Sequence, residues 1–84
     1  MKTLHILHDL GDARAWMTLR AEAQRDEVTV LLLHDAVLAR EVYDGPVYVC
    51  EDDARARGGG CPYPEVNYDG IVRLVENHDR VICW

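Results

Sequence analysis

One cysteine and two histidines are the side chains best placed to do chemistry: Cys50, His8 and His34. Each directly follows a short apolar run: LHIL before His8, VTVLLL before His34 and PVYV before Cys50. Such runs, bounded by Asp, Gly or Pro, read as buried β-strands. In an open α/β sheet, reacting groups gather outside the carboxyl ends of the strands. If these strands are neighbours, the three side chains converge on one rim. Cys50 has the strongest claim, because the helix that follows it, 51–57, aims its first amides at the sulfur and favours a thiolate. Glu51, Asp52 and Asp53 suit a helix start, yet their charges oppose that thiolate; Arg55 and Arg57 offset them only by folding back. The competing reading of Cys50 is a small hydrophobe buried at a strand end.

The histidines have three readings. One of them orients or deprotonates the thiol. His8, His34 and Cys50, helped by Asp9 or Asp35, form a zinc site. Or both imidazoles simply cap helices and meet water. The expectation is a catalytic Cys50 with His8 and His34 as contact residues, and no metal or cofactor. Cys61 follows Gly58-Gly59-Gly60 and precedes Pro62, so it reads as mobile: a resolving thiol for Cys50, or an incidental loop cysteine. Cys83 reads as core of the last strand. His5 reads as a hydrogen-bonded core histidine, and His78 as a helix-end residue facing the dipole. Trp16 reads as core, whereas Trp84 reads as an interface residue, since aromatics are enriched there.

These residues need a scaffold of strands and short helices. Strands are expected at 4–7, 28–33, 46–50 and 81–84, with a very short one within 65–68. Helices are expected at 13–25 with Asp12 as N-cap, at 36–41, at 51–57, and at 70–78 with Asp69 as N-cap. In the last helix Ile71, Leu74 and Val75 form the buried face. Strands alternating with helices predict a single three-layer α/β/α domain over 1–84, with a small, mostly parallel sheet of four to five strands and helices on both faces.

Composition narrows the partners. The chain has 84 residues, 49% of them hydrophobic, and a net charge of −6. So small a core is marginal and gains from a partner surface. The acidic balance, with scattered arginines, opposes direct nucleic-acid binding. Neither a signal peptide nor a membrane span is expected, so the predicted location is the cytoplasm and the thiols are expected to be reduced.

Four segments resemble the DsrE/DsrF/DsrH-like sulfur-relay family, specifically its DsrH/TusB branch. TLHILHD is similar to the first strand and loop of that branch. LLLHDAV resembles its apolar strand followed by Asp and a small residue. VYVCEDDARARG resembles its third strand and next helix, which ends in Ala-Arg-Gly. VNYDGIVRLVENHDRVICW resembles its closing segment, ending in Trp. Together they span nearly the whole chain.

The resemblance implies a five-stranded α/β/α fold and oligomers, commonly a hexamer of three related subunits. It also implies transfer of sulfur as a cysteine persulfide, either toward the 2-thio group of a tRNA wobble uridine or within sulfur oxidation. The implied partners are DsrE/TusD-like and DsrF/TusC-like subunits or the chain itself, with a sulfur donor and acceptor protein. Two departures from the pattern stand out. TusB subunits usually lack a cysteine at the end of the third strand and are regarded as non-catalytic. Cys50 instead matches the persulfide-carrying cysteine of the DsrE/TusD subunit. Some DsrH subunits carry a cysteine in the first helix, and this chain has none there. The expected function is therefore a sulfurtransferase-like persulfide carrier acting through Cys50. The alternatives are a non-catalytic assembly subunit, or a stand-alone homodimer binding a ligand or metal at the rim.

Overall fold

Five short strands, all parallel, form one sheet in the order β4-β3-β2-β1-β5. The computed structural model describes all 84 residues, Met1–Trp84. The strands are β1 (Lys2–Leu7), β2 (Glu27–Leu32), β3 (Val47–Cys50), β4 (Glu65–Val66) and β5 (Arg80–Cys83). The helices are α1 (Ala13–Glu22), α2 (Glu51–Ala56) and α3 (Tyr68–Glu76), with a 3-10 helix at His34–Leu38.

Two helix ends follow directly from local chemistry. Asp12 caps α1, its Oδ1 accepting the Ala15 N–H at 3.1 Å. Helix α2 ends because Gly58 takes φ +94°, a conformation open to glycine at little cost. The Gly58 and Gly59 N–H groups then bond the Arg55 and Ala54 carbonyls at 3.2 and 2.9 Å, a Schellman close.

The connections explain the layers. The chain steps from β1 through β2 and β3 to β4, always toward the same edge, and then returns across the sheet to place β5 beside β1. Right-handed crossovers put α1, the 3-10 helix and α2 on one face and α3 on the other. The packing agrees. The larger core joins Leu7, Val30, Leu32 and Val49 to Ala15, Trp16 and Leu19 of α1, Val37 of the 3-10 helix and Ala54 of α2. The smaller core is Leu4, Ile6 and Leu31, with Ile71 and Leu74 of α3 packed against it. Because β1 and β2 are central and covered on both faces, they read as continuous apolar runs.

Several expectations are corrected. Helix α3 is capped by Asn67, whose Oδ1 accepts the Gly70 N–H at 2.9 Å, and not by Asp69. Val75, expected on the buried face, is 42% exposed; a helix this short faces the sheet with Ile71 and Leu74 only. Cys83 is exposed rather than core, because α3 does not reach over β5. Cys61 is not mobile: it packs against the larger core, and its thiol donates to the Val37 carbonyl at 3.2 Å. Tyr63 ties down the same loop, its hydroxyl accepting from the Glu41 N–H and donating to the Glu41 carbonyl, both at 2.8 Å.

Trp84 folds back instead of standing free. It packs on the larger core, and its Nε1–H donates to His5 Nδ1 at 3.0 Å. That bond places the His5 proton on Nε2, which faces Glu22 Oε1 at 3.4 Å. Arg80 approaches the same carboxylate oxygen at 3.2 Å. The fully buried His5 is therefore satisfied on both nitrogens, as a core histidine requires. His78, at the end of α3, contacts the Leu74 carbonyl at 2.6 Å and Thr29 Oγ1 at 2.8 Å.

Candidate functional site

Cys50 is at once the last residue of β3 and the N-cap of α2. It is half-buried, and its side chain makes no capping bond to the helix amides. Three residues on, Asp53 stands where a capping-box side chain turns back toward the cap. Asp53 Oδ2 accepts the backbone N–H of His34 at 2.8 Å, which joins the start of α2 to the end of β2. This hydrogen bond is the main reason the Asp53 carboxyl lies below its ordinary range. Burial opposes the shift, while the charges of His34 and Arg57 reinforce it.

His34 is the only non-glycine residue with positive φ, at 49°. Its imidazole stacks on that of His8, ring centroids 5.3 Å apart. His8 Nδ1 lies 3.2 Å from the Trp84 carbonyl; since a carbonyl only accepts, that nitrogen carries the proton. His8 thus stands at the end of β1, beside the end of β5.

The arginines do fold back. Arg55 bonds Glu51 at 2.8 Å and lies 3.6 Å from Glu65. Arg57 Nε donates to Asp35 at 3.0 Å, and its NH1 donates to the Asp53 carbonyl at 3.1 Å. Much of the negative charge at the start of α2 is therefore balanced locally.

The rim accordingly gathers Cys50, Asp53, Arg57, His34 and His8. Asp53 binds the His34 backbone N–H, and the His8 ring stacks on that of His34. No hydrogen bond links the Cys50 sulfur to either imidazole: the His8 ring meets the Trp84 carbonyl and His34 is held through its backbone N–H. The zinc alternative finds no support, for no group of three or more His, Cys, Asp or Glu side chains is arranged to hold a metal. Cys61, turned toward Val37, is not presented to Cys50 as a resolving thiol. Asp53, which binds the His34 amide beside Cys50 in the chain, is the residue that the sequence reading passed over as one of three helix-start acids. Its signal was the spacing of three from the cap residue.

A concavity of about 790 Å³ lies at the opposite, amino-terminal end of the sheet. Arg20, Thr29, Tyr43, Tyr48 and His78 line it, and none of the rim residues does. Tyr43 there is pushed above the ordinary phenol range by burial first, then by the charges of Glu22 and Asp44, and its hydroxyl donates to the Val28 carbonyl at 2.8 Å.

No protein-family model matches the chain, and no curated protein does. Among solved structures it is similar to the YchN protein from E. coli, with a TM-score of 0.72 and 16% identity, covering 100% of this chain and 99% of that one. At that identity the likeness is one of fold.

Proposed function

We propose that the chain is a DsrH/TusB-like sulfur-relay subunit in which Cys50 carries the sulfur. The observation that carries this reading is the position of Cys50: a half-buried thiol at the carboxyl end of a central-sheet strand, opening a helix, on a rim with two imidazoles. The step balances without an oxidant. The Cys50 sulfur attacks the outer sulfur of a donor persulfide, R–S–SH. A new S–S bond forms at Cys50, the donor S–S bond breaks, and R–S⁻ leaves with the electron pair and takes up the proton. The products are Cys50–S–SH and R–SH. A second exchange hands the sulfur to an acceptor thiol. By family resemblance, the pathway ends in thiolation of a tRNA wobble uridine or in sulfur oxidation, in the cytoplasm, with DsrE-like and DsrF-like subunits or further copies as partners. No helix is long and apolar enough to cross a membrane.

A second reading, a non-catalytic assembly subunit, is favoured by a different observation. Val72 and Val75 of α3 and Val81 of β5 are 39%, 42% and 37% exposed, and Cys83 is exposed beside them. This side of the sheet has an incomplete cover, as a surface awaiting a partner subunit would. Sulfur loading separates the readings. With a labelled persulfide donor, Cys50→Ser loses the label while Cys61→Ser and Cys83→Ser keep it if Cys50 is the carrier. Undiminished loading of Cys50→Ser leaves the assembly reading.

A further inference from the structure

The two edges of the sheet are finished differently. At one edge stands β4, two residues long, entered through Pro64 and carrying Glu65. A very short strand, a proline and a charge are the means by which proteins keep an edge from pairing with another chain. The other edge is β5, four residues with no proline, no glycine and no acid. Its backbone is only half used. The Trp84 N–H bonds the Ile6 carbonyl at 2.9 Å, and β5 runs parallel to β1 in unbroken register. Backbone groups alternate in direction along a strand, so Ile82 also faces β1, while the N–H and C=O groups of Val81 and Cys83 point away from the sheet. Val81 is 37% exposed, and Cys83 is exposed.

We propose that β5 pairs with β5 of a second copy of this chain, antiparallel about a two-fold axis at Ile82, so that the sheets of two protomers become one. The register follows from the outward groups. With Ile82 opposite its own symmetry mate, Val81 stands opposite the partner's Cys83, and the two exchange both N–H···O bonds. The axis repeats that pair, as an isologous contact requires. The side chains suit this register. Val81 and Cys83 are level with Leu4 and Ile6 and share their α3 side of the sheet, where they meet across the axis. The two Ile82 side chains meet on the opposite side, in the closer, non-hydrogen-bonded kind of pair, where β-branched residues pack well. Charge also favours a second copy. The strand holds none of the acids behind the net charge of −6, and its one charge, Arg80, falls opposite the partner's Trp84 and not opposite another Arg80. Arg80 is in any case drawn to Glu22 at 3.2 Å. One strand therefore supplies both halves of a matching pattern. The proposal deepens the assembly reading by naming the partner, and it holds whether or not Cys50 carries sulfur.

The test is sedimentation of the protein from roughly 1 to 100 µM, the range in which a small interface shows itself, with a reductant present so that Cys83 forms no cross-link. The parent is expected to pass from monomer to dimer across that range. Val81→Pro removes an outward N–H and leaves the bonds to β1 in place, whereas Val81→Thr keeps both the amide and the branched shape. Each variant is first shown to be folded by circular dichroism. Dimerisation is expected to weaken roughly tenfold or more in Val81→Pro, from the amide bond lost in each protomer, and to stay near that of the parent in Val81→Thr. Hydrogen exchange of the parent needs no variant. The Val81 and Cys83 amides are expected to exchange more slowly as concentration rises, and the amides of β4 to be unchanged. A parent that stays monomeric at the top of the range overturns the proposal. So does a dimer that ignores Val81→Pro, or one whose formation protects the amides of β4 and not those of β5. Adding DsrE-like and DsrF-like subunits separates the two claims. A monomer that binds them defeats the β5 pairing and leaves the assembly reading standing. A β5-paired dimer that binds neither upholds the pairing and defeats assembly with those subunits.

Discussion

Replacing Trp84 by Phe removes the indole N–H that satisfies His5 Nδ1 while keeping an aromatic ring in place. His5 is fully buried, and water has no ready route to the orphaned nitrogen. An unsatisfied buried acceptor costs about 1–3 kcal/mol. Trp84→Ala also forfeits packing against the larger core. A fully buried aromatic would cost about 3–5 kcal/mol on truncation. Trp84 is half-buried, so roughly half of that is expected, and with the orphaned acceptor the alanine variant should lose about 2.5–5.5 kcal/mol in all. For a domain this small, each kcal/mol lowers the melting temperature by roughly 4–8 °C. Urea unfolding followed by circular dichroism gives the order parent, Phe, Ala. The effect of Phe should vanish in a His5→Phe background, where no acceptor remains to be orphaned. If Trp84→Phe matches the parent within about 0.5 kcal/mol, the buried bond contributes nothing and the reasoning fails. If both variants are as stable as the parent yet fail to assemble, Trp84 belongs to an interface.

The acid side of the stability profile provides another test. Asp53 and Glu22 both have folded carboxyls below their ordinary range. In Asp53 the His34 amide is the chief cause. In Glu22 burial works against the charge but is outweighed by His5 and Arg80, which approach its carboxylate at 3.4 and 3.2 Å. Groups of this sign contribute fully above the ordinary carboxylate values near pH 4 and lose that contribution as pH falls through the lower folded values. The urea midpoint should therefore hold from pH 7 to about 5 and drop by pH 3; a flat profile contradicts these assignments. Self-association or partner binding is expected through the α3–β5 side of the sheet. Sedimentation at micromolar concentration, alone and with DsrE-like and DsrF-like subunits, should show a complex that Val72→Asp with Val81→Asp disrupts. A monomer indifferent to both subunits contradicts that surface.

Much of the fold was legible because its central strands are covered on both faces. VTVLLL has no polar face to hide, and short apolar runs separated by helix starts leave little choice besides a parallel sheet. What escaped depends on contacts far apart in the chain. The helix expected at 36–41 is a 3-10 turn at His34–Leu38, because the chain is already extended at Ala39, with ψ 147°. Three glycines before Cys61 suggest freedom, yet Val37 and Glu41 fix that loop through bonds that local composition cannot reveal. Val81 and Cys83 look like core by residue type, but β5 is an edge strand beyond the reach of α3. Trp84 looked available to a partner until the need of His5 for a donor was visible. In the site, His8, His34 and Cys50 lie at the carboxyl ends of the adjacent strands β1, β2 and β3, and the two imidazoles stack. Asp53, which ties the start of α2 to His34, was hidden among three consecutive acids, because only the fold shows which one turns toward the His34 amide.

The central claim is that Cys50 carries the sulfur. Its most direct test is to incubate the reduced protein with a persulfide donor, trap the product and map added sulfur on the three cysteine peptides by mass spectrometry. The account predicts a mass increase of one sulfur on Cys50, transferable to an acceptor thiol, with Cys61 protected by its packing and any label on exposed Cys83 not passed on. Sulfur on Cys61 or Cys83 with Cys50 unmodified contradicts it.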